Sequence, residues 1–149
     1  MSEKLPNGTI VGLDNLAAAQ AGELVVLSVP YSAQEKTLNG LSEALAGKIL
    51  LTVVVPLKKP VARAYRLPSG LSAAEEAQQQ LGSDVRVVAA FQNISAHHLM
   101  DLSHKIECDV LVCGDKKADK EPVSQLVSDA GMRAVNAGAL QNASVVEGL

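Results

Sequence analysis

The sequence predicts an α/β domain: a doubly wound, mostly parallel sheet with helices on both faces. Three observations predict it. Short apolar runs alternate with amphipathic stretches, the order that builds strand, helix, strand crossovers. Several runs are continuous in Val, Leu and Ile, as strands buried on both faces require. Composition agrees: 48% of the residues are hydrophobic, yet Phe91, Tyr31 and Tyr65 are the only aromatic ones, so the core must be aliphatic.

The predicted strands are 9–12, 24–29, 49–55, 85–91 and 109–113, with a weaker one at 133–135. Between them lies helix punctuation. Ser32 and Glu35 are spaced as a capping box, in which hydroxyl and carboxylate each satisfy an orphan amide. Thr37, Leu38, Leu41 and Leu45 then share one face, and Gly47 is placed to end that helix in a left-handed conformation. Ser72 and Glu75 repeat the box, with Gly82 as the stop. Asp119 opens a further helix, Pro122 falls in its first turn and Gly131 closes it. A shorter helix is predicted over 95–103. The stretch 56–71 differs, with three prolines and the four basic residues Lys58, Lys59, Arg63 and Arg66. It is the one long loop, a feature usually functional or mobile in compact domains. No repeat or internal boundary is visible, so 1–149 is read as one domain.

Several function classes are disfavoured. A net charge of −3 gives no electrostatic reason to bind nucleic acid, and a base-stacking platform would need more aromatics. The apolar runs fall far short of a membrane span. No apolar stretch follows the first four residues, so they open no signal peptide, and a cytoplasmic location is expected. Cys108 and Cys113 lie an odd number of residues apart on a predicted strand and so point to opposite faces. Buried structural thiols are expected rather than a shared metal or a disulfide. His97 and His98 diverge by about 100° on a helix. His97 and Asp101 have the spacing to share an ion, but a half-buried or interface histidine is the preferred reading.

A dinucleotide-binding Rossmann domain normally carries Gly-x-Gly-x-x-Gly between its first strand and helix, where backbone amides approach a pyrophosphate. None of the 11 glycines forms that pattern. The chain opens in the polar segment 1–7 and passes into what reads as a third strand. It stops inside the apolar, helix-like run 145–149. Both ends are expected to be cuts, which would leave a Rossmann-like domain truncated at its first βαβ unit.

Three groups of residues carry a family resemblance. The first is Leu24-Val25-Val26-Leu27-Ser28-Val29-Pro30-Tyr31, a strand ending in Val-Pro and an aromatic residue. The second is Ala89-Ala90-Phe91-Gln92-Asn93-Ile94, taken with Leu111-Val112-Cys113-Gly114-Asp115. The third is Asn136-Ala137-Gly138-Ala139-Leu140-Gln141-Asn142. Together they resemble the NADPH-dependent reductases of the deazaflavin coenzyme F420. The third group matches that family's Asp-Ala-Gly-Pro-Leu-x-Asn with Asn136 and Ala139 as departures.

The resemblance implies an oxidoreductase that passes a hydride directly between NADP(H) and F420. The cofactors would supply the chemistry and the protein their alignment, with no catalytic dyad. It implies that Ser28, Val29 and Pro30 pass under the NADP ribose and diphosphate. Gln92, Asn93, Ile94 and Ser95 would border the deazaflavin, with Gln92 standing where some relatives have histidine and Ile94 against the ring face. A plain strand-to-helix turn is the alternative for 28–30, and a helix cap the alternative for Asn93 or Ser95. The resemblance also implies that 142–148 forms a wall of the deazaflavin pocket, weakened here because some relatives carry arginine in place of Ser144 and serine in place of Gly148. Lys58, Lys59, Arg63 and Arg66 are candidates for the F420 phosphodiester and glutamate tail, or simply a solvated basic loop.

The relatives imply a homodimer. Competing expectations are a non-catalytic truncated fragment or interaction module, and a Rossmann reductase with a different second substrate, such as the pyrroline-carboxylate reductases. Without the glycine fingerprint, these residues alone are expected to show no NADPH-driven reduction of F420.

Overall fold

Apolar runs and capped amphipathic stretches alternate along the chain and fold in that order. They are β1 (Lys4–Leu5), β2 (Gly8–Thr9), α1 (Asn15–Ala21), β3 (Leu24–Leu27), α2 (Tyr31–Leu38), α3 (Ser42–Leu45) and β4 (Ile49–Thr52). There follow α4 (Ala73–Leu81), β5 (Arg86–Ala89), α5 (Ala96–Met100), β6 (Asp109–Val112), α6 (Lys117–Asp129), β7 (Arg133–Asn136), a 3-10 turn (Leu140–Asn142) and α7 (Ala143–Val146). The structure is a computed structural model and describes residues 4–5, 8–57, 67–101 and 105–149.

The sheet is built around β4, whose four residues are all buried. It pairs in parallel with β3 on one side and β5 on the other, in the order β3-β4-β5. β6 and β7 form a second parallel ladder. One residue pair joins the two ladders: Ala89 and Cys113 exchange both backbone hydrogen bonds at 2.9 Å, in the antiparallel sense. The sheet is thus α/β and mostly parallel, with one reversal.

Side chains alternate across these strands and feed two apolar clusters. On one face Leu27, Leu50, Val87 and Ala89 meet Ala19, Leu38, Leu45, Ala77 and Val146 of helices α1, α2, α3, α4 and α7. On the other, Ile49, Leu51, Val88, Val110 and Val112 meet Val123 and Val127 of α6. Both faces of the centre are covered, as the continuous apolar runs require.

Four local expectations are corrected. Residues 10–14 join no strand; only Gly8–Thr9 pairs, antiparallel with Lys4–Leu5, so the expected strand at 9–12 is not part of the main sheet. Ser32 does not open α2: the helix starts at Tyr31 directly after Pro30, without a side-chain cap. A proline with its φ fixed near the helical value suits such an abrupt entry. The expected single helix through Leu45 is broken at Gly40, whose φ of +78° lies where only glycine is unstrained, so two short helices result. Finally, α6 begins at Lys117, which leaves Pro122 inside it and Asp119 buried against Arg86 at 3.3 Å rather than capping.

Two expectations of helix punctuation hold. The Ser72–Glu75 capping box is complete, and Gly47, Gly82 and Gly131 all take positive φ near the ends of their helices. The helix α1 was not foreseen, although Asp14 caps it by accepting from the Ala17 N–H at 2.8 Å. Apolar periodicity in Asn15–Ala21 is weak because its middle is alanine. Among the described residues no helix is long and apolar enough to cross a membrane, and no cluster of His, Cys, Asp or Glu is suited to a metal ion.

Candidate functional site

In an open parallel sheet, ligands meet the crevice beyond the carboxyl ends of the strands. Two of the sequence-predicted stretches lie at that edge. Ser28 and Pro30, just past β3, are exposed, while Val29 turns inward against the helix-covered apolar cluster. Just past β5, Gln92 sends its side-chain N–H₂ to the Thr52 carbonyl at the end of β4, 3.0 Å away. Between the strands that carry the two stretches runs β4, which sets β3 and β5 about 10 Å apart at ordinary strand spacing.

The 92–95 turn is held by β6. Asn93 donates to the Asp109 carbonyl at 2.9 Å and to the Cys108 thiol at 3.4 Å. Its side chain is thus committed to the strand and does not cap α5. Ser95 occupies the cap position of α5 but makes no side-chain cap bond, and it is exposed. Ile94 is half-buried against the second apolar cluster. With Asn93, Ser95, His98, Ile106 and Cys108 it lines a cavity of about 410 Å³.

Two features mark this turn as unusual. Phe91 has φ +71°, a conformation that costs a bulky residue about 1–3 kcal/mol and recurs at functional sites. The side-chain oxygens of Gln92 and Asn93 are both buried without a hydrogen-bond partner. Buried acceptors are rarely left so.

Sequence reasoning missed the polar residues on the other side of the crevice. The Tyr31 hydroxyl donates to Glu76 at 2.7 Å, and Ser69 donates to the same carboxylate at 2.5 Å. These residues border a cleft of about 650 Å³ between α2 and α4. Glu147 accepts from the backbone N–H groups of Ala73 and Ala74. An isolated acid inside the apolar run 145–149 was the available signal for it.

The two remaining motifs prove to be partners. The Gly114 N–H donates to the Gly138 carbonyl at 3.0 Å, and the Leu140 N–H to Asp115 Oδ1 at 3.0 Å. Lys120 reaches over Gly114 to the Asn136 side-chain oxygen at 2.7 Å and the Gly138 carbonyl at 2.9 Å. Asn142 secures the Ala137 carbonyl at 2.7 Å, while Ser144 is exposed and bonds only locally, to Gln141. These motifs build the support for α7.

Electrostatics are perturbed at three places. Burial pushes the Cys113 thiol up, partly opposed by Lys120. The Arg133 guanidinium, opposite Asp109 across β6 and β7, holds that carboxyl below its usual range. Burial raises Glu147 to about 7, against the two amides that favour its charged form. Both cysteines are free, Cys113 buried and Cys108 half-buried. His97 is exposed on α5. Lys58, Lys59, Arg63 and Arg66 lie outside the described residues, as does Ser103, the expected end of α5.

No protein-family profile matches the chain. The F420-dependent NADP reductase of Methanocaldococcus jannaschii is 38% identical over 144 residues, covering 94% of this chain and 64% of that protein. A protein from Arthrobacter sp. FB24, described as an F420-dependent NADP-reductase, superimposes with a TM-score of 0.79 at 24% identity, over 89% of this chain and 62% of that one. A Plasmodium falciparum pyrroline carboxylate reductase solved with NADP shares the fold at 15% identity and a TM-score of 0.58, over 84% of this chain and 41% of that one. Along nearly its whole length the chain is thus a relative of the F420-dependent NADP reductases, and it spans a little under two thirds of the archaeal one.

Proposed function

We propose that these residues form part of an oxidoreductase that transfers a hydride between NADP(H) and coenzyme F420, and that they build mainly the deazaflavin side of its site. One observation carries the assignment to the 92–95 turn. Gln92 and Asn93 hold two adjacent, buried carboxamide oxygens without partners, on a strained strand end at the ligand-binding edge. A deazaflavin ring offers N–H donors and a flat apolar face. Each buried acceptor left unpaired costs about 1–3 kcal/mol, which a ligand N–H admitted to the turn would recover. Ile94 and Ser95 supply an apolar and a polar border to the same turn. The residues present therefore fit the group.

When bound, the deazaflavin and nicotinamide supply the hydride chemistry themselves. The chain's part is alignment, which is why no acid–base pair is needed at the turn. Thr52 and Asp109 fix the side-chain N–H₂ groups of Gln92 and Asn93, so each amide oxygen has a set direction. Exposed Ser28 and Pro30 give the NADP ribose and diphosphate a backbone to cross. In this reading 1–149 is part of an NADP-binding Rossmann-type domain. A cytoplasmic homodimer belongs to the same proposal. Support comes from Val26, 48% exposed on a strand with one unpaired edge among the described residues, since such edges favour association.

Equilibrium dialysis of the chain against oxidised F420 tests the assignment. Binding is expected, weakened by roughly tenfold or more in Gln92→Ala or Asn93→Ala, at the one to three kcal/mol typical of such contacts. Turnover with NADPH is not expected from these residues alone, because they contain no Gly-x-Gly-x-x-Gly. Binding that neither substitution alters would sink the assignment of the turn.

A further inference from the structure

Helices α2 and α4 cover the same face of the sheet, and hydrogen bonds brace one against the other. The Tyr31 hydroxyl donates to Glu76 at 2.7 Å, and Gln80 Nε2 donates to the Glu35 carbonyl at 2.8 Å. The cleft of about 650 Å³ between them has the size of a small-molecule site. Its walls do not have the usual composition. Such sites are mostly apolar, yet no aliphatic side chain lines this one. Its charged residues are Glu35 and Glu76, and among the described residues no Lys, Arg or His borders it. Neither carboxylate is in an ion pair among the described residues. Glu76 accepts from the neutral hydroxyls of Tyr31 and Ser69. Glu35 stands in the last turn of α2, where the helix dipole opposes a negative charge.

The floor of the cleft points the same way. Gln34 is 3% exposed, the one buried residue among those lining the cleft. Its Nε2 donates to the Ala73 carbonyl at 2.8 Å, which leaves Oε1 as the free end of the carboxamide. That oxygen is buried without a hydrogen-bond partner. Native proteins rarely leave a buried acceptor so. A floor that lacks a donor and walls that lack a cation call for the same kind of occupant.

We propose that the α2–α4 cleft binds a small organic cation rich in N–H donors, of the alkyl diamine class, held by the Glu35 and Glu76 carboxylates above the Gln34 amide oxygen. An ammonium group carries three N–H donors and no acceptor, the complement of this lining. Its bonds to the two carboxylates are charge-assisted, the stronger kind. Among the described residues no cluster of His, Cys, Asp or Glu suits a metal ion, which favours an organic cation over a metal. Bracing between the helices shapes the cleft before the ligand arrives, so less ordering is left for binding to impose. The site stands independently of the functional reading above, because none of residues 92–95 borders it.

Nitrogen-15 NMR of the 149-residue chain, titrated with the diamine putrescine at constant ionic strength, tests the site without any nicotinamide or deazaflavin. Saturable shifts are expected in the Gln34 side-chain N–H₂ and in the backbone amides of Glu35, Ser69 and Glu76. Gln34→Leu should weaken binding by roughly tenfold. Glu35→Gln alters an exposed side chain, so the fold survives it; binding should weaken severalfold and lose part of its salt dependence. The neutral diol of the same carbon length should bind roughly tenfold or more weakly than putrescine, since it forms no charge-assisted bond. No saturable shift with putrescine, equal affinity for the diol, or an affinity that Glu35→Gln leaves unchanged overturns the proposal.

Discussion

Gly114 shows how much can depend on a missing methyl group. A Cβ there would lie 3.1 Å from Lys120 Cγ and 3.3 Å from Val88 Cγ2. The lysine stem occupies that space on its way to Asn136 and Gly138. Gly114→Ala should therefore destabilise the domain by about 1–3 kcal/mol, as overpacking does, and weaken the Lys120 staple. Urea denaturation that finds Gly114→Ala as stable as the parent would show that the lysine is free to move aside. The family motif at 113–115 could be quoted from the sequence, but its purpose could not. Its glycine and aspartate serve a loop more than 20 residues away, and no local propensity encodes that pairing.

Element boundaries follow the same division between local and distant causes. The α4 helix was legible because everything that starts and stops it is local: Ser72 and Glu75 reciprocate and Gly82 ends it. Ser72→Ala should cost about 1–2 kcal/mol, as loss of an N-cap does. In thermal unfolding the midpoint should drop, and an unchanged midpoint would mean that Glu147 alone secures this end. By contrast, Ser32 and Glu35 have the same spacing without the same role, because Pro30 and the tight turn from β3 start α2 first. Asp119 likewise has the position of a cap, but its partner, Arg86, lies on β5, 33 residues back along the chain. Gln92 and Asn93 were singled out by resemblance alone; their anchors on Thr52 and Asp109 required the fold.

The whole molecule inherits its character from the sheet. Continuous apolar runs made the parallel core predictable, since strands like β4 bury every side chain. The reversal between β5 and β6 was not predictable, because an apolar run has no sense of direction. That reversal has a consequence for the candidate site. Counting out from the Ala89–Cys113 pair sets Asn93 opposite Asp109, the two residues that share a hydrogen bond. One ladder thus begins where the other delivers its 92–95 turn. The two ladders are, moreover, plates whose backbones are fastened by one rivet, with the Asn93 side chain and the second apolar cluster also spanning them. They should not breathe as a unit: native-state hydrogen exchange should show Leu50 and Leu51 opening with a different free energy from Val110 and Leu111. Identical opening energies would mean that the rivet transmits cooperativity across the whole sheet. If the plates do open independently, any ligand gripped by the 92–95 turn would bridge the seam between them, and its binding would be read out as lost slippage rather than as a change of shape.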